Sequence, residues 1–460
     1  MIASTNPATG ETVARFDAHD DSALDARLAA AERAQKEWHR TPLAARTDLL
    51  RRLAALLRAQ SAPLAALITQ EMGKPVAEAL AEVDKCARNC DYYADAAPAM
   101  LADAPVAGLP GTFLAYEPIG VVLAIMPWNY PLWQVVRFLA PTLAAGNGAI
   151  LKHAANVPQC ALAIERLVAE AGAPAGLFAN IFVEPDAVAG VIADPRIAAV
   201  TLTGSTQVGM IVAAQAGAAL KKQVLELGGS DPFIVLADAD IEAAAAMAIT
   251  ARFTNAGQSC VNAKRFIVEE AVADRFAAAM LAGAEALHMG DPADPATTLG
   301  PLARANLRAA IHDQVERSVA GGARLLTGGR PEPGAGYFYP PTLLDHVEPG
   351  MAAFDEETFG PAAAIVRAAD AEAAVALANR TAFGLGASIW TADIARGTAL
   401  ARRVDAGAVF VNAVVASDPR VPFGGIKHSG YGRELGELGL REFTNAKTIK
   451  VVAPEAEKTA

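Results

Sequence analysis

The sequence predicts an α/β protein of two lobes, each built on a parallel sheet, with a small β element outside both. Three observations carry this. From Gly120 to Thr203 short apolar runs alternate with helical segments, and a second such series runs from about Pro232 to Asn412. Two further strand-like runs, Phe113–Tyr116 and Thr448–Val452, have no place in either series. Continuous apolar strands separated by helices are the pattern of a sheet covered on both faces.

Taken in order, the first hundred residues read as helical. Leu49, Leu50, Leu53, Leu56 and Leu57 share one helical stripe, and Ser22 and Asp48 stand where helices can start. The first series gives strands at Val121–Ile125, Ala149–Lys152, Phe178–Phe182 and Ala198–Thr203, with helices at Pro131–Ala145, Pro158–Ala171 and Asp186–Ile192. The second gives strands at Phe233–Leu236, Phe266–Glu269, Ala363–Arg367, Ala387–Trp390 and Ala408–Val411. The Gly/Pro-dense stretch Gly328–Pro341 reads as loop.

Composition narrows the function. The chain has 460 residues, 39 Lys+Arg against 50 Asp+Glu, and a formal charge of −11. Such a balance argues against nucleic acid, whose phosphates need a basic face. At 53% hydrophobic and 19% charged, the sequence has material for a large core and excludes disorder. No apolar run approaches the roughly 20 residues of a membrane helix, and no cationic start with an apolar block marks a signal peptide. Four cysteines without paired spacing indicate neither a disulfide framework nor a metal site. The expectation is a soluble cytoplasmic protein without membrane or nucleic-acid partners.

Four segments carry chemistry. Phe253-Thr-Asn-Ala-Gly-Gln-Ser-Cys260 ends on a cysteine behind a turn, where a sulfur can stand free at a lobe interface. A lone cysteine is more often a small buried hydrophobe, the reading kept for Cys86, Cys90 and Cys160. Glu226, flanked by leucines at a strand end, is either half of an ion pair with Lys221 or Lys222 or a general base in apolar surroundings. Thr201–Gly209 runs from strand through a glycine turn into a helix; its backbone N–H groups can hold a pyrophosphate, or the turn is simply tight. Asn129, in Met126-Pro-Trp-Asn-Tyr-Pro131, can donate to an oxyanion or cap a helix.

Together these segments resemble the aldehyde dehydrogenase superfamily. The resemblance runs from Asn6-Pro-Ala-Thr-Gly-Glu11 to Gly430-Tyr-Gly-Arg433. It takes in Glu71-Met-Gly-Lys-Pro75, Glu356-Glu-Thr-Phe-Gly-Pro361 and Pro422-Phe-Gly-Gly-Ile-Lys-His-Ser-Gly430. It implies two Rossmann-like lobes, with a cofactor-binding domain at 1–99 and 119–230 and a catalytic domain at 231–430. An oligomerisation element at 100–118 and 446–455 would make a homodimer or homotetramer. By resemblance Cys260 is the nucleophile, Asn129 with the Cys260 N–H holds the oxyanion, and Glu226 activates water against a thioester. The implied cofactor is NADP or NAD, with Trp128, Lys152, His153, Ala155, Gly204, Ser205, Gly209, Leu227, Glu357 and Phe359 at its site. NAD-preferring members commonly place Glu three residues after the lysine. Ala155 stands there instead, so the reading leans slightly to NADP.

Within the family, Leu151-Lys-His-Ala-Ala-Asn-Val-Pro158 and Asn255–Val261 look most like succinate-semialdehyde dehydrogenase members, which implies a small aldehyde carrying a carboxylate as substrate. Arg137 shares a helical face with Trp133 and Gln134 after Asn129, and is the expected grip on that carboxylate; an interdomain salt bridge is its structural alternative. Thr254 stands where some members carry a second Arg, so Ser417 and Arg420 are the candidate replacements. Val261 and Asn262 leave no redox-switch cysteine beside Cys260. The competing readings are a broad-specificity or neutral aliphatic aldehyde dehydrogenase, a CoA-dependent acyl transferase that Glu226 disfavours, and a non-catalytic binding protein on the same fold.

Overall fold

The computed structural model describes residues 2–452. The chain opens not on helix but on an antiparallel hairpin, Ile2–Thr5 with Thr12–Phe16. The turn between them closes through Gly10, at φ +76°, whose N–H donates to the Asn6 carbonyl at 2.7 Å. Four helices follow: Asp21–Arg40, Leu43–Ala59, Ser61–Met72 and Val76–Met100. The first is capped by Asp20 rather than Ser22, its carboxylate accepting from the Ala23 N–H at 2.7 Å. The second begins behind Pro42, so Asp48 lies inside it and pairs with Arg51 at 2.9 Å. Leu49, Leu50, Leu53 and Leu57 are buried, as the stripe requires.

The first α/β series forms a six-stranded sheet in the order Gly430–Tyr431, Lys222–Glu226, Ile197–Thr203, Val121–Met126, Gly148–His153, Phe178–Asn180. Its strands are parallel except the short edge piece Gly430–Tyr431, which returns from the end of the second series and ties it to the first. The second sheet has seven strands, in the order Arg324–Thr327, Thr342–Asp345, Ala362–Ala368, Ala263–Glu269, Asp231–Val235, Gly386–Trp390, Ala408–Val411. Two of these, Arg324–Thr327 and Thr342–Asp345, escape the sequence reading. The first is a half-exposed edge strand and the second is four residues long, so neither offers a sustained apolar run.

The strands left outside both series find each other. Thr444–Lys450 pairs antiparallel with Thr112–Pro118, which also pairs with Ala104–Pro105. The C-terminal strand therefore lies earlier than Thr448–Val452, and 453–455 fall outside the described residues. Among those described, no helix is long and apolar enough to cross a membrane, and no group of His, Cys, Asp and Glu could hold a metal ion.

Candidate active site

Three neighbouring parallel strands of the first sheet end side by side. The residues just after them, Pro127–Asn129, Gly204–Ser205 and Leu227–Gly228, line a cleft with a cavity volume of about 310 Å³. The second lobe contributes Cys260, Arg304, Leu307, Glu357 and Phe359 to the same cleft. A crevice at the carboxyl ends of parallel strands is where open α/β sheets bind ligands.

Cys260 follows a strained loop. Asn255, Ala256 and Gly257 stand at φ +57°, +50° and +72°, a region that costs a non-glycine residue about 1–3 kcal/mol. Interlocking bonds hold it there. The Asn255 side-chain amide donates to the carbonyls of Asn129 (2.9 Å) and Gln258 (3.1 Å), and the Asn255 N–H donates to Glu78 at 2.8 Å. Gln258 donates from Nε2 to the Asn255 carbonyl at 3.1 Å and accepts the Ala303 N–H at 2.9 Å. Fully buried Lys264 donates to the Cys260 carbonyl at 2.8 Å. Burial pushes the Cys260 thiol up to about 12, against the pull of Arg137 and Lys264. A thiol so held stays protonated and would need to lose its proton before it could act as a nucleophile.

Asn129 is buried beside it, donating one amide hydrogen to the Gln258 carbonyl at 3.0 Å; the second is left for a ligand. Glu226 ends its strand fully buried, with neither carboxylate oxygen hydrogen-bonded among the described residues. The ion-pair alternative fails, because Lys221 donates to the carbonyls of Asp194 and Ile197 while Lys222 reaches Glu442 at 3.3 Å. Burial, and then the neighbouring Glu434, push Glu226 well above the usual carboxylate range. Gly424 makes room for it: a Cβ there would lie 2.6 Å from Oε1.

Arg137 is engaged within the protein. It forms a buried ion pair with Glu434, donates to the Thr203 hydroxyl at 3.2 Å and lies 4.9 Å from the Phe423 ring centroid. It remains an electrostatic neighbour of Cys260. Glu434 was missed, although it directly follows the quoted Gly430–Arg433 run; an acid between that run and Leu435 was the available signal. Ser417 accepts a hydrogen bond from Lys85 at 2.7 Å. Arg420 departs from expectation: its exposed guanidinium is folded onto Asp418 at 2.8 and 2.6 Å, because a carboxylate two residues away is the nearest bidentate partner.

On the cofactor side, Trp128 and Phe359 meet edge to face at 5.8 Å, and Glu357 accepts the Gly229 N–H at 2.9 Å. At Gly204 a Cβ would meet only Leu202, at an ordinary contact distance of 3.7 Å. The turn opens the helix Thr206–Ala218, whose first turn is capped by Ser205, and a helix start of this kind can hold an anionic group. Lys152 is half-buried, and burial pulls it below its ordinary value against the opposing charge of Glu184, while Ala155 is exposed. Neither His153 nor Gly209 is among the residues that line the cleft. His153 turns inward, buried between the Met126 and Pro131 carbonyls at 3.2 and 2.8 Å, and is pushed down to about 4 by burial. Gly209 is buried under Leu227, where any Cβ would overlap the leucine methyls; it serves helix packing. Pro127, Thr203, Gly228, Arg304 and Leu307 line the cleft without having been singled out.

A sequence profile described as "Aldehyde dehydrogenase family" matches residues 1–449. The chain belongs to the aldehyde dehydrogenase family. Its relatives include the Escherichia coli (strain K12) protein named succinate semialdehyde dehydrogenase [NAD(P)+] Sad, 51% identical over 449 residues and covering 97% of both chains. A Mycobacterium avium (strain 104) succinate-semialdehyde dehydrogenase [NADP(+)] is 49% identical over 453 residues, 97% of this chain and 96% of that one. Among solved structures, a succinic semialdehyde dehydrogenase from Streptococcus pyogenes in complex with NADP+ superimposes with a TM-score of 0.96 at 39% identity, covering 98% of this chain and all of that one. The aldehyde dehydrogenase fold accounts for both parallel-sheet lobes and the small antiparallel sheet.

Proposed function

We propose that this aldehyde dehydrogenase oxidises succinate semialdehyde to succinate with NADP or NAD. The single observation that carries the chemistry is the meeting of Cys260 and Asn129 in one cleft with the glycine turn at Gly204 and the aromatic pair Trp128 and Phe359. The substrate follows from relatives of that activity at about half identity over nearly full length.

Cys260 gives its thiol proton to solvent water as Sγ adds to the aldehyde carbon, and the amide of Asn129 with the Cys260 N–H holds the resulting oxyanion. NAD(P), when bound, would supply the hydride acceptor for oxidation of the thiohemiacetal to the Sγ thioester. Glu226, ionised, takes a proton from water, whose oxygen attacks the thioester carbon and releases the acid with the thiolate. Gly204, Ser205, Leu227, Glu357 and Phe359 hold the cofactor, and Lys152 beside the small Ala155 leaves space for a 2′-phosphate. Residues 1–99 and 119–230 form the cofactor domain and 231–430 the catalytic domain. The sheet of Thr112–Pro118 and Thr444–Lys450 serves self-assembly into a homodimer or homotetramer.

The test is initial-rate reduction of NADP and of NAD with succinate semialdehyde and with butyraldehyde, a neutral aldehyde of equal carbon number. A strong kcat/KM preference for the semialdehyde is expected. Equal rates would leave a general aldehyde dehydrogenase.

A further inference from the structure

Arg137 alone makes a poor receptor for a carboxylate, because Glu434 already neutralises it. The position where a second arginine was expected is occupied by Thr254, whose hydroxyl is turned back onto the Thr250 carbonyl at 2.8 Å. The helix Val76–Met100, which no sequence motif implicated, supplies another cation. Lys85 donates from Nζ to the Ser417 hydroxyl at 2.7 Å and lies 4.3 Å from the Trp133 ring centroid, so it joins a candidate carboxylate contact to the helical face that carries Arg137.

Lys85 has no ion pair among the described residues, although its surroundings are charged. Arg137 opposes it, Glu82 and Cys86 on its own helix favour it, and Arg88 opposes it. Asp418, next to Ser417, senses its charge but is closed onto Arg420 by two hydrogen bonds. The Arg137–Glu434 pair is neutral and Lys85 adds one uncompensated positive charge against an aromatic wall. A desolvated ammonium facing a second cation is relieved by one carboxylate, and burial already pushes Lys85 down to about 8.

Resting on the function proposed above, we propose that Lys85 is a specificity-determining residue: with Ser417 and Trp133 it binds the distal carboxylate of the semialdehyde, in place of the missing second arginine. The ammonium donates to a carboxylate oxygen, Ser417 Oγ is freed to donate to the other, and Trp133 packs on the methylene chain.

The experiment compares wild type, Lys85→Met, Lys85→Gln and Lys85→Arg on succinate semialdehyde and butyraldehyde, with succinate as competitive inhibitor. Losing a hydrogen-bonded charge should raise KM for the semialdehyde and Ki for succinate by about ten- to a hundredfold. Turnover of butyraldehyde should stay within about twofold, and Lys85→Arg should keep most of the preference. The proposal is overturned if both neutral variants lose activity equally on the two aldehydes, which marks a structural prop for the Ser417 loop, or if the preference and succinate Ki are unchanged. A wild type with no preference for the semialdehyde sinks the proposed function itself. A wild type that prefers it, with variants that do so equally, sinks only the role of Lys85.

Discussion

At the scale of single residues, the acids behind Cys260 set the pH behaviour. Glu226 is held above the usual carboxylate range by burial and by Glu434, so its basic form accumulates as pH rises. Turnover limited by thioester hydrolysis should therefore climb with pH through that raised value. In Glu226→Gln the climb should vanish and the steady rate fall about a hundredfold or more, with a first-turnover burst of reduced cofactor and a covalent acyl adduct visible by mass spectrometry. Arg137 answers to two demands. Arg137→Leu strands a buried Glu434, and removing one partner of a buried pair costs about 3–5 kcal/mol. We expect a marked fall in thermal midpoint, largely recovered in Arg137→Leu/Glu434→Leu; an unchanged midpoint in the single variant would show that the pair carries little stability.

At the scale of elements, the turn before Cys260 and the strand beside it are the sensitive pieces. Gly257 has φ +72°, and a Cβ would collide with the Gly360 carbonyl, which is backbone and cannot swing away. Gly257→Ala should destabilise by about 2–4 kcal/mol and cut kcat more than KM, since it displaces Sγ rather than the cofactor wall; denaturant unfolding and steady-state rates measure both. Asp231 begins an interior strand of the second sheet, Asp231–Val235, and accepts the Gly386 N–H of its neighbour at 3.0 Å. Burial raises it to about 7, so the folded state holds its proton more tightly than the unfolded chain. Its stabilising contribution is complete below the ordinary aspartate value and is lost as pH rises through about 7, at most about 4 kcal/mol. Asp231→Asn should flatten the decline of unfolding free energy between pH 4 and 8; an unchanged slope would refute the assignment.

At the scale of the whole molecule, the three-stranded sheet ends on an open edge. Thr444–Lys450 is mostly exposed, and Val451 and Val452 follow it at 61% and 75% exposure. An open strand edge carrying apolar residues calls for a partner. Sedimentation should give a dimer or tetramer, and truncation before Thr444 should yield a smaller species; a wild-type monomer at micromolar concentration would end this reading.

The sequence by itself determined the alternation that makes two parallel sheets, because continuous apolar strands admit few other packings. It also determined the order of Asn129, Gly204, Glu226 and Cys260, each placed at an element end by its glycine or proline neighbours. The tertiary structure decided what long-range packing alone can decide. The edge strand Arg324–Thr327 and the hairpin at Ile2–Phe16 draw their identity from partners rather than from apolar pattern. His153 faces inward because β alternation places it opposite half-buried Lys152. Arg137 meets Glu434 across 297 residues of chain, counted from their numbers, and Lys85 meets Ser417 across 332. Charge pairing at such separations leaves no periodicity in a sequence, since only the return of the late chain to the first lobe, where Gly430–Tyr431 joins the sheet, brings the partners together.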